Sequence, residues 1–182
     1  MRIPVMSISG LTATGALGVG VTVFGIGSAV ADPADYTVLL MNPNEVTDSM
    51  AYSVAAPVLN PNNQQGVSAV YSHRDGVRQI SESVLALPDA AAATAAMNAS
   101  QGEAENRMAN EKTQPVQVGT GGTLLTGSSP DGSKSVSVLL FTQGNAAATV
   151  EFDGPPNDPA PTDFVVDLGQ KQDSTIRNAL GT

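Results

Sequence analysis

Apolar and polar residues alternate broadly along residues 67–84, on either side of Asp75-Gly76. Asp-Gly is a preferred two-residue turn of β-hairpins, because both central positions favour positive φ. The pattern therefore predicts a hairpin in which Tyr71 faces Ile80. Because successive side chains of a strand point to opposite faces, one face of this hairpin is predicted to point inward and to carry Val67, Ala69, Tyr71, His73, Arg78, Ile80, Glu82 and Val84.

Beyond this hairpin, the pattern predicts strands over residues 116–127, 134–142 and 146–153, and a short strand or extended lead-in over 35–41. Asp131-Gly132 predicts the turn of a second hairpin, in which Val138 faces Leu125. A two-residue loop at Gly144-Asn145 would place the apolar side chains of the last strand on the wrong face of a sheet with one buried side. We therefore expect an odd-length loop or a bulge at residues 143–145.

Helix signals occur in three places. Asn42 as N-cap, with Pro43 in the first helical position, predicts a short helix that ends near Tyr52. An alanine-rich stretch predicts a second helix over residues 87–112, and Thr162 as N-cap predicts the start of a last helix. Together with the strands, these helices predict an α+β domain, with an antiparallel sheet of five or six strands and two long helices packed on one face.

Residues 1–31 differ from the rest of the chain, since Arg2 is their only charged side chain and Ala29-Val30-Ala31 ends them. Small residues at the first and third positions before a bond are typical of a signal-peptidase site, so the segment is interpreted as a secretory signal peptide. The alternative is an uncleaved N-terminal anchor, because the uncharged run is long enough to span a membrane. Residues 32–182 are then expected to form a single secreted domain, outside the cytoplasm or in the cell envelope.

The composition excludes several classes of function. The 182 residues carry 8 Lys and Arg against 17 Asp and Glu, a formal net charge of −9. Charge of this sign repels phosphate backbones and anionic lipid headgroups. We therefore expect no nucleic-acid partner, and membrane contact only through an uncleaved N-terminus. The chain contains no cysteine, which excludes disulfides, a thiolate nucleophile and cysteine-ligated zinc.

Glu82 is the residue that the alternation singles out, because it lies on the predicted inward face between Ile80 and Val84. Burial of an unpaired carboxylate is costly, or raises the pKa until the group is neutral. Such a group is retained where it lines a cleft or has a partner, so Glu82 is a candidate ligand-binding residue. The alternative is that this end of the sheet is open to water and Glu82 is solvated.

The same predicted face also carries His73, Arg78 and Tyr71, which could together bind an anionic or polar ligand. The alternative is that His73, which is next to the hairpin tip, is simply exposed. No nucleophile accompanies this single histidine, because Ser72 and Ser81 lie on the opposite face. We therefore predict no catalytic, cofactor-binding or metal-binding residues, and no enzyme activity.

The tripeptide His73-Arg74-Asp75 also occurs in the catalytic loop of protein kinases, where the aspartate is the base. The asparagine that such a loop carries five positions after the aspartate is replaced here by Ile80. No Gly-rich loop or partner lysine strand precedes the tripeptide. It is therefore interpreted as the tip of the first hairpin.

Three stretches resemble one known family: LLMNPNEVTDSM, LALPDAAAATAAMNAS and VSVLLFTQGNAAATVEF. They are similar to segments of the extracytoplasmic sensor domain of some mycobacterial serine/threonine kinases and of related secreted proteins and lipoproteins. The resemblance covers most of residues 36–180. It implies a twisted antiparallel sheet backed by two helices, with a cleft for an unknown ligand. Those sensor domains are cross-linked by cysteines, which this chain lacks, and no kinase domain is attached here, so signalling is not implied.

Two functions remain as hypotheses. The first is a secreted or cell-envelope protein, not an enzyme, that binds a small ligand or a protein partner in a cleft between sheet and helices. The second is a structural or interaction protein of the envelope without a small-molecule site; a hydrolase is less favoured than either. An apolar cavity with Glu82 and Tyr71 at its wall would favour the first, and a filled interface would favour the second.

Overall fold

The computed structural model describes residues 35–48 and 50–181. The segment interpreted as a signal peptide or anchor, residues 1–31, lies outside these described residues. Within them, no helix combines the length and the hydropathy that a membrane span requires.

The described residues form two α-helices and eight strands, with three short 3-10 helices. In chain order they are β1 (Tyr52–Val54), β2 (Val58–Leu59), β3 (Gly66–His73), β4 (Gln79–Ala86), α1 (Ala90–Arg107), β5 (Ala109–Pro115), β6 (Thr120–Ser128), β7 (Ser135–Gln143), β8 (Ala146–Gly154) and α2 (Thr162–Leu180). The 3-10 helices are Tyr36–Leu39, Pro43–Glu45 and Pro61–Asn63.

The strands form one antiparallel sheet of eight strands in the order β1-β3-β4-β8-β7-β6-β5, and β2 also pairs with β3. The sequence prediction of five or six strands is therefore wrong. β1 and β2 have only three and two residues, too few for an alternating pattern to be recognised. The start of β5 falls inside the predicted helix 87–112, and its pairing with β6 outweighs the local helix preference.

The two long helices lie on opposite faces of the sheet, which corrects the prediction that both pack on one face. On one face, the buried residues of α1 pack in a cluster with Val136, Val138 and Leu140 of β7. On the other face, the buried residues of α2 pack in a second cluster with Leu139 and Phe141 of the same strand. The domain is therefore a three-layer structure with the sheet in the middle.

β7 is buried along both faces as a consequence, and this explains why the predicted loop at residues 143–145 is wrong. Gln143 pairs with Ala146, so the connection is the two-residue loop Gly144-Asn145 without a bulge. The prediction of an odd-length loop or a bulge assumes a sheet with only one buried face. In a strand that is covered by a helix on each side, both sets of alternating side chains are apolar. The apolar pattern then does not show which residues pair with the next strand.

Both predicted hairpins have the predicted register. In the first, Val67 pairs with Val84 and Tyr71 with Ile80, and the N–H of His73 donates to the carbonyl oxygen of Arg78 at 2.9 Å. In the second, Leu125 pairs with Val138. The predicted two-residue turns are wrong, because four residues separate His73 from Arg78 and Ser129 from Lys134, and the N–H groups of Gly76 and Gly132 donate to the carbonyl oxygens of His73 and Ser129. Each turn needs one glycine with positive φ, 74° at Gly76 and 69° at Gly132. The aspartates before these glycines keep negative φ.

The first described residues differ from the prediction. Residues 36–39 form a 3-10 helix rather than a strand, and the helix that starts at Pro43 ends after one turn at Glu45. Asn42 does act as its N-cap, because its Oδ1 accepts from the N–H of Asn44 at 3.1 Å. The side chain of Asn44 also bonds both backbone groups of Tyr52, the first residue of β1.

Candidate functional site

Glu82 lies at the centre of a buried polar network between the sheet and α2. Its side chain is 2% exposed, that of Gln172 on α2 is fully buried, and Tyr71 is buried beside them. The N–H of Met41 donates to Glu82 Oε1 at 3.3 Å and to Gln172 Oε1 at 3.0 Å. Gln172 Nε2 donates to the carbonyl oxygen of Leu39 at 2.7 Å.

The hydrogen count in this network indicates that Glu82 is protonated. The Tyr71 hydroxyl lies 2.8 Å from the carbonyl oxygen of Met41 and 3.0 Å from Glu82 Oε2. A hydroxyl has one hydrogen to donate; when Tyr71 gives it to Met41, a protonated Glu82 that donates to the Tyr71 oxygen satisfies the second contact. Burial raises the pKa of Glu82 to about 8, although the hydrogen bonds that Tyr71 and Met41 donate to its ionised form oppose the rise, and this favours the neutral acid below that pH.

The space beside Glu82 and Tyr71 is filled by the chain itself. The side chains of Tyr36, Leu39 and Met41 are buried and belong to the same apolar cluster as the inner faces of β3, β4 and α2. Glu82 is thus neither solvated nor at the wall of either cavity described below. It has partners, which is the other condition under which a buried carboxyl group is retained.

His73 and Arg78 lie together at the hairpin tip, as the register requires. His73 Nδ1 lies 3.0 Å from a carboxylate oxygen of Asp75, and Arg78 forms ion pairs with both Asp75 and Asp158. Although desolvation opposes it, hydrogen bonds from the N–H groups of Val77 and Arg78 hold the pKa of Asp75 well below its usual value. Asp75 therefore stays ionised and orients both basic side chains.

A cavity of about 280 Å³ lies between the inner face of the sheet and the first turn of α2. The rings of Phe152 and Phe164 meet edge to face in its wall, with centroids 5.9 Å apart. Arg78 is the one earlier candidate residue in its wall; His73 contacts the wall indirectly, through an edge-on contact of 5.0 Å with the ring of Tyr52. The lining consists of Tyr52, Arg78, Gln79, Ile80, Phe152, Asp153, Gly154, Asp158, Pro159, Ala160, Pro161 and Phe164.

A second, more open cavity of about 660 Å³ lies on the other face, beside the C-terminal end of α1 and the turn between β6 and β7. Arg107 and Lys134 are in its wall. Each already has an acidic partner, Glu151 at 3.1 Å and Asp153 at 2.7 Å. In the described part of the chain, no three His, Asp or Glu side chains are grouped as metal ligands.

Sequence reasoning missed two parts of this arrangement. Gln172 follows Leu168 and precedes Ile176 by four residues each, so it lies in the apolar stripe of α2, and a buried glutamine in such a stripe is a detectable signal. The aromatic pair Phe152 and Phe164 was not detectable, because the connector that brings α2 to the sheet has no periodic pattern.

One solved structure gives the fold a precedent. The extracellular domain of PknH from Mycobacterium tuberculosis matches with a TM-score of 0.56 and 12% sequence identity, over 78% of this chain and 94% of that one. At this identity the similarity shows the fold alone, and for the fold it confirms the resemblance to a kinase sensor domain. No protein-family model matches the sequence. No curated protein matches it either.

Proposed function

We propose that this protein is an extracytoplasmic binding protein, not an enzyme, which takes a small ligand with an aromatic or other apolar part. The site is the cavity between β4, β8 and the start of α2. Its aromatic and proline lining is the observation that carries the proposal, since small-molecule sites are concave, largely apolar and equipped with a few polar groups. A volume of about 280 Å³ fits a small ligand or one ring of a larger one.

The polar groups at the rim suggest how a ligand would be oriented. Arg78 is held between Asp75, which belongs to the rigid turn, and Asp158, whose side chain is 56% exposed on the connector before α2. An anionic group of the ligand would compete with Asp158 for the guanidinium. In this proposal Arg78 contacts the ligand, and His73 positions Tyr52. Glu82 and Tyr71 support the sheet beneath the cavity instead of binding the ligand.

Two further observations support the extracytoplasmic and non-enzymatic parts of the proposal. The structure that shares the fold is an extracellular domain. His73 has a carboxylate neighbour, but no hydroxyl nucleophile beside it, because Ser72 pairs with Gln79 and points to the opposite face of β3. A histidine with no nucleophile beside it does not form a hydrolytic site.

Filling the cavity tests the proposal. Ala160 lines it and is half-buried, so Ala160→Phe places a ring inside. We expect the fluorescent probe 1-anilinonaphthalene-8-sulfonate, which carries an aromatic system and an anion, to bind the wild-type protein and to bind this variant at least about tenfold more weakly. Ala95→Phe adds the same ring to an exposed position of α1 and is the matched control. Equal probe affinity in all three proteins would contradict the proposal.

The filled interface around Glu82 and Tyr71 favours the second function, a structural or interaction protein without a small-molecule site. Mass spectrometry distinguishes the two. The protein is incubated with a lipid and metabolite extract of its host cells, and bound compounds are identified in the native complex. A compound retained by the wild type and by Ala95→Phe, but lost from Ala160→Phe, supports the ligand-binding function. No retained compound supports the structural one.

A further inference from the structure

The segment of residues 36–41 is attached to the fold in an unusual way. It belongs to no strand of the sheet. In the described part of the chain, the hydrogen bonds that join its backbone to β3, β4 and α2 come from the side chains of Tyr71, Glu82 and Gln172. All three are at least nine-tenths buried, so these hydrogen bonds lie in the interior of the domain and not at its surface.

These three side chains bind main-chain atoms of the segment and none of its side chains. The amide of Gln172 accepts from the N–H of Met41 and donates to the carbonyl oxygen of Leu39, as a neighbouring strand would. Tyr71 and Glu82 contact the carbonyl and the N–H of Met41. Such contacts recognise the backbone of a peptide of any sequence, here one 3-10 turn followed by an extended residue, whereas selectivity comes from the side-chain pockets.

The side chains of the segment are selected by burial alone. Tyr36, Leu39 and Met41 are buried at 3%, 2% and 3% exposure, while Val38 between them is 49% exposed. The fit is incomplete, because the buried hydroxyl of Tyr36 has no hydrogen-bond partner. Buried polar atoms without partners weaken the bound state of the segment.

From these contacts we propose that the groove between β3, β4 and α2 is a peptide-binding site, which the 36–41 segment occupies in cis. Its ligand in trans is a peptide that forms one 3-10 turn followed by an extended residue, as the segment does, and that carries three large apolar side chains spaced as Tyr36, Leu39 and Met41 are. The cis segment competes at the high effective concentration of a tethered ligand, so the groove accepts another peptide when the segment is released. This inference is independent of the cavity at Phe152 and Phe164.

Amide hydrogen exchange of the wild-type protein tests whether the segment is released separately. The N–H of Met41 is bonded only to side chains of the network, whereas the amides of Ile80 and Val84 belong to strand β4, which is paired on both sides. We expect Met41 to exchange at least about a hundredfold faster than these two, through local opening. Equal exchange rates would show that the segment opens only with the whole domain, and would overturn the proposal.

Binding of a labelled peptide with the sequence of residues 35–42 tests the groove itself. In the full-length chain, Leu39→Ala weakens the cis segment and leaves the groove intact. We expect this variant to bind the peptide at least about tenfold more tightly than the wild type does. Adding Gln172→Ala to the variant is expected to reverse the gain. If Leu39→Ala fails to fold, the hydrogen exchange of the wild type decides.

Two altered peptides separate backbone recognition from apolar adhesion. A peptide with proline in place of Met41 has no N–H for Glu82 and Gln172 to accept, and it is expected not to bind. A peptide with serine in place of the exposed Val38 is expected to bind unchanged. Equal binding of the proline peptide, or no binding of any peptide to the folded Leu39→Ala protein, would overturn the proposal.

Discussion

The Glu82→Gln variant is expected to keep a nearly constant unfolding free energy from pH 5 to pH 9. The wild-type protein is expected to lose about 4 kcal/mol of unfolding free energy over the same range. The folded protein raises the pKa of Glu82 to about 8 from an ordinary value of 4.5. It therefore binds this proton more tightly than the unfolded chain does. The resulting stability is complete below pH 4.5 and is lost as the pH rises through 8.

Glutamine reproduces the protonated acid in this network. Its amide oxygen accepts from the N–H of Met41, and its NH₂ group donates to the Tyr71 oxygen, as the neutral carboxyl group does. The variant cannot ionise, so it is expected to be more stable than the wild type at pH 9. The value of about 4 kcal/mol is an upper limit, because water entry or a local shift relieves part of the cost of a buried charge.

Urea unfolding at intervals between pH 5 and pH 9 measures this effect. All other titrating groups are common to the two proteins, so the difference between their profiles isolates Glu82. Glu103→Gln removes an exposed carboxylate from α1 and is the matched control, which is expected to follow the wild-type profile. Parallel profiles of Glu82→Gln and the wild type would show that Glu82 is ionised in the folded protein.

The same substitution at two helical glycines is expected to have opposite effects. Gly169 lies where α2 packs against β7, and a Cβ there would overlap the side chain of Leu139 and crowd that of Val118, which are fully and nearly buried. Gly169→Ala is therefore expected to lower the unfolding free energy by about 1–3 kcal/mol. A Cβ at Gly102, in the interior of α1, meets no atom within 4 Å. Gly102→Ala is expected to raise stability by about 0.5–1 kcal/mol.

This pair of variants tests the position of α2 against the sheet, since both substitutions change helix propensity equally. Chemical denaturation of both variants and the wild type gives the two differences. If Gly169→Ala also stabilises the protein, α2 does not lie against Leu139, and the filled interface that surrounds Glu82 is wrong.

The sequence was sufficient to predict the first hairpin and its faces. The turn at Asp75-Gly76 determines which residues pair, and a two-residue alternation then separates buried from exposed side chains. For this reason the sequence alone predicts that Glu82 lies in the interior. What surrounds it could not be predicted, because the contacts are remote in sequence. Met41 is 41 residues from Glu82, and Gln172 is 131 residues from Met41 and 133 from Leu39.

The placement of the two helices on opposite faces of the sheet was harder to predict from the sequence, for a physical reason. A pattern of apolar residues shows that a strand is buried, but the continuous run in β7 does not show which helix covers which face. The short strands β1 and β2 carry no periodic signal, and the polar edge strand β5 is held by pairing with β6 rather than by its own composition. These elements account for the errors in strand number and helix placement.

The ionisation of Glu82 in the folded protein is the most direct test of the central claim, that this residue holds the 36–41 segment in place as a neutral acid. The chemical shift of its carboxyl carbon is followed by ¹³C NMR between pH 4 and pH 10. A midpoint near pH 8 is expected, with the amide of Met41 shifting over the same range. A midpoint near 4.5, the value of an ordinary glutamate, would contradict the network.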